Sequence, residues 1–153
     1  MTKPYSKLKL QANHARQNRL QKRSLLPLSK EAVDAMAMQY HTALAALKAK
    51  QGSKHGVRIL LQMVVVAGFI GDATAVRIDP DVLIQLDGAL CDALDHGEDT
   101  GNWLVNDTIH DLCAALLVEH ERQLRVVPVN VLREVLDRAT RFRNGERYGS
   151  SRN

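Results

Sequence analysis

Residues 57–71 read VRILLQMVVVAGFIG, and no charged or strongly polar side chain interrupts them from Met63 to Ile70. Val57, Ile59, Leu60 and Leu61 continue the apolar character toward the N-terminal side. A helix built from this run is apolar on nearly every side, which marks a buried helix rather than a surface one. A membrane span requires about 20 apolar residues, and Arg58, Gln62 and Asp72 cut this run short. A buried strand competes, because Val64, Val65 and Val66 are β-branched. However, the run from Arg58 to Gly71 is longer than a usual strand of about 5–6 residues, and no alternating partner strand occurs elsewhere in the chain. The stretch therefore predicts a helix. Full burial of a large aliphatic side chain is worth about 1.5–3 kcal/mol, so the flanking segments have to cover it from several directions.

Those segments carry the expected amphipathic pattern. Leu25-Leu26-Pro27-Leu28-Ser29 is a boundary, with Ser29 as N-cap and Leu28 placed to staple onto Val33. A helix follows over about 30–50, with Val33, Met36, Ala37, Tyr40, Leu44 and Leu47 on its inner stripe. Gln51-Gly52-Ser53 is a turn, and Gly71 to Ala75 closes the apolar helix. Asp79-Pro80 starts a helix over about 80–96 with Val82, Leu83, Leu86, Leu90 and Leu94 inward, and Gly97 ends it. HGEDTGN, residues 96–102, reads as a polar loop, after which Trp103 packs over a core edge with its indole N–H satisfied. Asp107 caps a helix over about 108–125 that buries Ile109, Leu112, Cys113, Leu116, Leu117 and Leu124. Pro128 breaks it, a last helix runs about 129–143, and Gly145 closes that one. The fold class is all-α: an irregular bundle of about five helices around the apolar helix 57–71. Residues 1–28 form a basic arm, largely disordered or helical only on contact, residues 29–144 the helical domain, and 145–153 a flexible tail.

Composition bounds the function. The chain of 153 residues is long enough for one domain with a real core, and 25% of its residues are charged. Aromatics make up only 4%, which argues against a base-stacking platform. Cys91 and Cys113 make no disulfide framework and no secretory leader is legible, so a cytoplasmic location is the expectation. The net charge of +4 is unevenly spread. Residues 1–24 hold Lys3, Lys7, Lys9, Arg16, Arg19, Lys22 and Arg23 without an acid, which is +7. Residues 138–153 hold Arg138, Arg141, Arg143, Arg147 and Arg152 against Glu146, which is +4 and leaves −7 for residues 25–137. An acidic body with two basic ends is the most informative feature of the chain.

Chemical sites compete poorly with plainer readings. His110, Cys113 and His120 share a helical face, but ten residues separate the two histidines by about 15 Å at 1.5 Å rise per residue. One ion cannot take both, no complete ligand set is legible, and a buried thiol with two helix-edge imidazoles explains the pattern. Glu119-His120-Glu121 does not converge on a substrate, because neighbours on a helix diverge by about 100°. Asp95, Glu98 and Asp99 lack calcium-loop spacing, and Gly68 and Gly71 lack the strand–loop–helix context of a phosphate loop. The expectation is a non-enzymatic protein without metal or cofactor.

The basic arm is the strongest candidate. HARQNRLQKR, residues 14–23, is similar to the short arginine-rich segments that fold onto RNA or DNA backbones. Each phosphate neutralised releases counterions, so binding is steeply salt-dependent. The plain alternative is a solvated tail, or one that folds back onto its own acidic body. The first dozen residues read as disordered. A helix is possible on contact from Ala12 to Lys22, and there Arg16, Arg19 and Arg23 share one face at i, i+3 and i+7. Lys7, Lys9 and Lys22 are further candidate contacts of the arm, and Arg138, Arg141 and Arg143 supply a second set. Val126-Val127-Pro128 is not the glycine-containing turn of a helix-turn-helix.

LSKEAVDAMAMQYHTALAAL, the apolar stretch, GNWL, a helix ending EHERQL and the Pro-started last helix together cover about residues 29–142. In these patterns the chain resembles a loose group of small proteobacterial proteins from phage-like or plasmid-like regions, some labelled Fis-like regulators. The resemblance implies a bacterial cytosolic accessory protein and says nothing about chemistry. Nucleic acid, DNA or RNA, is the expected partner. The alternative is a protein-interaction module or inhibitor whose acidic body engages a basic partner. A third reading is a homodimer that continues its core through the apolar helix across a two-fold axis. No membrane partner is expected.

Overall fold

The structure, a computed structural model, describes the backbone of residues 4–143 and the side chains of residues 7–142. Six helices occupy them: α1 Pro4–Ser24, α2 Lys30–Lys48, α3 Lys54–Ala73, α4 Pro80–Thr100, α5 Asp107–Val126 and α6 Val129–Arg143. There is no strand among the described residues, only an isolated antiparallel bridge between Pro27 and Pro128. The five expected helices become six because the arm is itself helical. Residues 4–12, expected to be disordered, belong to α1. The tail and Gly145 lie outside the described residues.

α3 packs against α2, α4, α5 and α6. Every residue from Met63 to Gly71 is buried, with Val57 and Leu60. It is the one helix among the described residues long and apolar enough to cross a membrane, yet 61% of that window is buried inside the fold.

The caps show why the helices start where they do. Ser29 accepts a hydrogen bond from the Ala32 amide at 3.2 Å, Ser53 from Gly56 at 3.0 Å, and Asp79 from Asp81 at 2.9 Å ahead of Pro80. Each relieves an amide that the first helical turn leaves without a partner. Two boundaries differ from the sequence reading. Asn106, not Asp107, caps α5, accepting from the Ile109 amide at 2.8 Å. α4 runs past Gly97 to Thr100, and Gly101 takes the left-handed position with φ 76°. Gly97 is there for space instead: a Cβ on it would fall inside the Trp103 indole. The indole Nε1 is consequently buried with no hydrogen-bond partner, contrary to expectation. It lies against a helical backbone whose Gly97 carbonyl is already taken by the Gly101 amide.

α1 joins this body at one root. The Val129 amide donates to the Leu26 carbonyl at 3.0 Å beside the Pro27–Pro128 bridge. Prolines have no N–H, so the bridge makes no further ladder. Among the described residues, α1 contacts α6 and no other helix.

Candidate nucleic-acid interface

α1 is helical for local reasons. Leu, Lys, Gln, Ala and Arg, all good helix formers, dominate it, and no glycine interrupts it. It buries almost nothing: Leu8, Leu10 and Leu20 are 66%, 63% and 55% exposed. Lys7, Lys9, Arg16, Arg19, Lys22 and Arg23 are all exposed. At 3.6 residues per turn, Lys9, Arg16, Arg19 and Arg23 fall within an arc of about 80°, with Lys22 about 60° beyond it and Lys7 on the far side. Among the described residues, no carboxylate comes within ion-pair distance of any of these six; the ion pairs of the body lie elsewhere. The Arg19 Nε–H donates only to the Ala15 carbonyl, at 3.3 Å. Arg19 stands one turn from Arg16, Lys22 and Arg23, and each such like-charge pair costs a helix about 0.2–0.5 kcal/mol. An anion laid along the face relieves that repulsion.

The second basic set is arranged differently. Arg138 is half-buried, its guanidinium 4.1 Å over the Phe69 ring and 4.0 Å from the Asp72 carboxylate. That arginine ties α6 to α3 rather than facing outward. Arg141 is exposed on the last described turn, about 18 Å along α6 from the root at 1.5 Å per residue. It shares a groove of about 700 Å³ with Glu134 and Asp137, which offset its charge. The side chain of Arg143 lies outside the described residues. Lys9, Arg16, Arg19 and Arg23 therefore share one face of α1, whereas Arg138 of α6 is committed to α3.

The weighed chemical sites are dispersed. Among the described residues no group of three or more His, Cys, Asp or Glu is placed to hold a metal. Burial pushes the Cys113 thiol up to about 12. Glu119 pairs with Arg122 at 3.0 Å, while Glu121 pairs with His41 at 2.5 Å and Arg125 at 3.8 Å. Between them His120 turns inward and is fully buried, not a helix-edge imidazole. Its Nδ1 lies 3.0 Å from Gln123 Oε1, and the Gln123 amide donates to the Ala67 and Val76 carbonyls at 3.0 and 2.9 Å. This polar tie from α5 to α3 and to the α3–α4 loop was not read from the sequence. Its signal was present, since His120 and Gln123 continue the buried positions Cys113, Leu116 and Leu117 at helical spacing. A further groove of about 530 Å³ lies between α3, α4 and α6, lined by Arg58, Gln62, Asp87 and Cys91 among apolar residues. Burial raises the Asp87 carboxyl.

Set against known proteins, the chain matches no family model, no curated protein and no solved structure.

Proposed function

We propose that this chain is a non-enzymatic accessory or regulatory protein that contacts nucleic acid electrostatically through α1. One observation carries the reading: six exposed cations on a single helix, with no carboxylate in reach among the described residues. A cationic helix of this kind tracks phosphates and fixes position without reading bases. DNA and RNA backbones both satisfy it. The resemblance of residues 29–142 to proteins of phage-like and plasmid-like regions supplies a setting, a bacterial cytoplasm and a mobile element. Arg141 adds a weaker contact, and Arg138 serves the fold.

Salt dependence tests it. Neutralising about four phosphates on duplex DNA, one for each cation of the shared face, gives a slope of log affinity against log salt near −4. Fluorescence anisotropy with a labelled duplex should return that slope for the full chain. Removing residues 1–24 should abolish binding, and Arg16→Gln with Arg19→Gln and Arg23→Gln should flatten the slope by about three. Salt-insensitive binding, or binding unchanged by the triple substitution, overturns the proposal.

A further inference from the structure

α1 has a counterpart on its own chain that it does not touch. α4 is also 21 residues long, and it carries Asp81, Asp87, Asp92, Asp95, Glu98 and Asp99 with no lysine or arginine. Among the described residues, only Glu98 of these has an ion-pair partner, Lys54. Asp81, Asp92, Asp95 and Asp99 are exposed and recur at intervals of 11, 3 and 4, so one stripe holds them. Three of the six, Asp95, Glu98 and Asp99, lie at the C-terminal end, where the helix dipole disfavours negative charge and the last turn holds no basic residue of its own.

Beside the acidic stripe runs an apolar notch. Ile84 is 60% exposed, and Gly88 and Cys91 follow at i+4 and i+7, both exposed. Gly88 stands mid-helix, where glycine is a poor choice, and a Cβ there would meet nothing within 4 Å. Nothing inside the fold asks for a glycine at this point; a second helix passing close over it does. The local field is negative as well: burial first, then Asp87, Asp95 and Asp92, raise the Cys91 thiol.

We propose that this face of α4 is the docking surface for α1 of a second copy of the chain, exchanged reciprocally in a two-fold dimer. Charge complementarity selects the occupant: a helix of equal length with six cations and no acid, on which the exposed Leu8 and Leu20 flank the face that holds Lys9, Arg16, Arg19 and Arg23. Run antiparallel, Leu20 seats over Gly88, and the 1.5 Å rise then brings Arg16 level with Asp92 and Lys9 level with Asp99. The exchange is between copies because the root at Leu26 and Val129 fixes α1 on α6, where it touches no part of its own α4. Independently of the nucleic-acid reading, this gives the acidic body a basic partner of known sequence.

Light scattering of the full chain at tens of micromolar should give about twice the 17.0 kDa monomer mass in low salt, and the monomer mass in about 0.5 M salt. Asp92→Arg with Asp99→Arg should leave a monomer, as should Lys9→Asp with Arg16→Asp. Combining all four should restore the dimer. Circular dichroism checks that each variant is folded. A chain with Lys9→Cys, Asp99→Cys and Cys91→Ser, oxidised with copper–phenanthroline, should run as a covalent dimer on a non-reducing gel. Asn18→Cys in place of Lys9→Cys, on the opposite side of α1, should not. A wild-type monomer at low salt, a fast-running cross-linked monomer, or dimers indifferent to both charge reversals overturns the proposal. Duplex binding by the Asp92→Arg and Asp99→Arg variant, whose α1 is intact, is read separately. Its loss would count against the nucleic-acid reading, and dimerisation would stand.

Discussion

Acidifying this protein below the ordinary imidazole value should destabilise it through His120, by at most about 1.4 kcal/mol per pH unit. The Gln123 amide nitrogen is committed to the Ala67 and Val76 carbonyls, so its Oε1 faces the imidazole and accepts from Nδ1–H. That leaves Nε2 as a bare acceptor, fully buried and without a partner. The Tyr40 ring lies 5.5 Å away, centroid to centroid. Protonation would place an N–H and a charge where nothing receives them. Burial accordingly holds the imidazole below its ordinary 6.5, and the Gln123 hydrogen bond and Glu121 only partly offset this. The folded state therefore resists a proton that the unfolded chain accepts. Stability from this group is fully present above about pH 6.5 and is lost as pH falls toward the depressed folded value. The loss is about 1.4 kcal/mol per pH unit while one proton separates the states. For a chain of this length that lowers the melting temperature by about 3–5 °C. Urea titrations of wild type and His120→Gln at about pH 7.5 and about pH 5.5 isolate the effect. Glutamine keeps a donor for Gln123 but does not titrate, and every other ionisable group is common to both chains. Equal losses in the two would refute the reasoning.

Further outcomes follow from particular contacts. Gly97→Ala should destabilise by about 1–3 kcal/mol, because the new methyl has to displace the Trp103 indole. Trp103 is the one tryptophan, so its emission reports the shift directly. Gln123→Leu strands the Val76 carbonyl and the His120 donor together and should cost about 2 kcal/mol or more in urea unfolding. Arg138→Gln, which removes the stacking on Phe69, should lower the melting temperature while leaving the salt slope of duplex binding unchanged. A flattened slope would return Arg138 to the interface.

The helices were legible wherever a cap and an apolar period agreed. Ser29, Asp79-Pro80 and Pro128 each sit at an observed boundary because their chemistry is local. Gly97 misled for the converse reason. A glycine near the end of a periodic run is the ordinary helix stop, and only the distant Trp103 reveals that this one makes room. Gly52 repeats the lesson. The left-handed residue after α2 is Lys50, at φ 58°, whereas a Cβ on Gly52 would come within 2.6 Å of the Trp103 carbonyl oxygen and 2.7 Å of Leu47. His120 and Gln123 were hidden because polar residues at buried spacing satisfy one another only in three dimensions. The charge segregation was fully legible, since it needs no folding to be counted. That α4 gathers so much of the acid on one outward stripe required knowing that the helix continues to Thr100.

α1 poses a physical question that its own fold does not answer. In proteins most helical stability comes from tertiary packing, which α1 largely lacks, and this helix adds unrelieved like-charge repulsion and three exposed leucines. An anionic surface laid against it stabilises it twice, by screening the stripe and by fixing the helix. A phosphate backbone and the α4 stripe of a second copy both qualify, and they compete for the same side of α1. Linkage then requires each to weaken the other by an equal factor. Adding duplex to the dimer should release monomer, and raising protein concentration at fixed duplex should depress occupancy per chain. Salt cannot distinguish the two contacts, because it weakens both. Protein concentration can, since only the exchange between copies depends on a second chain being present.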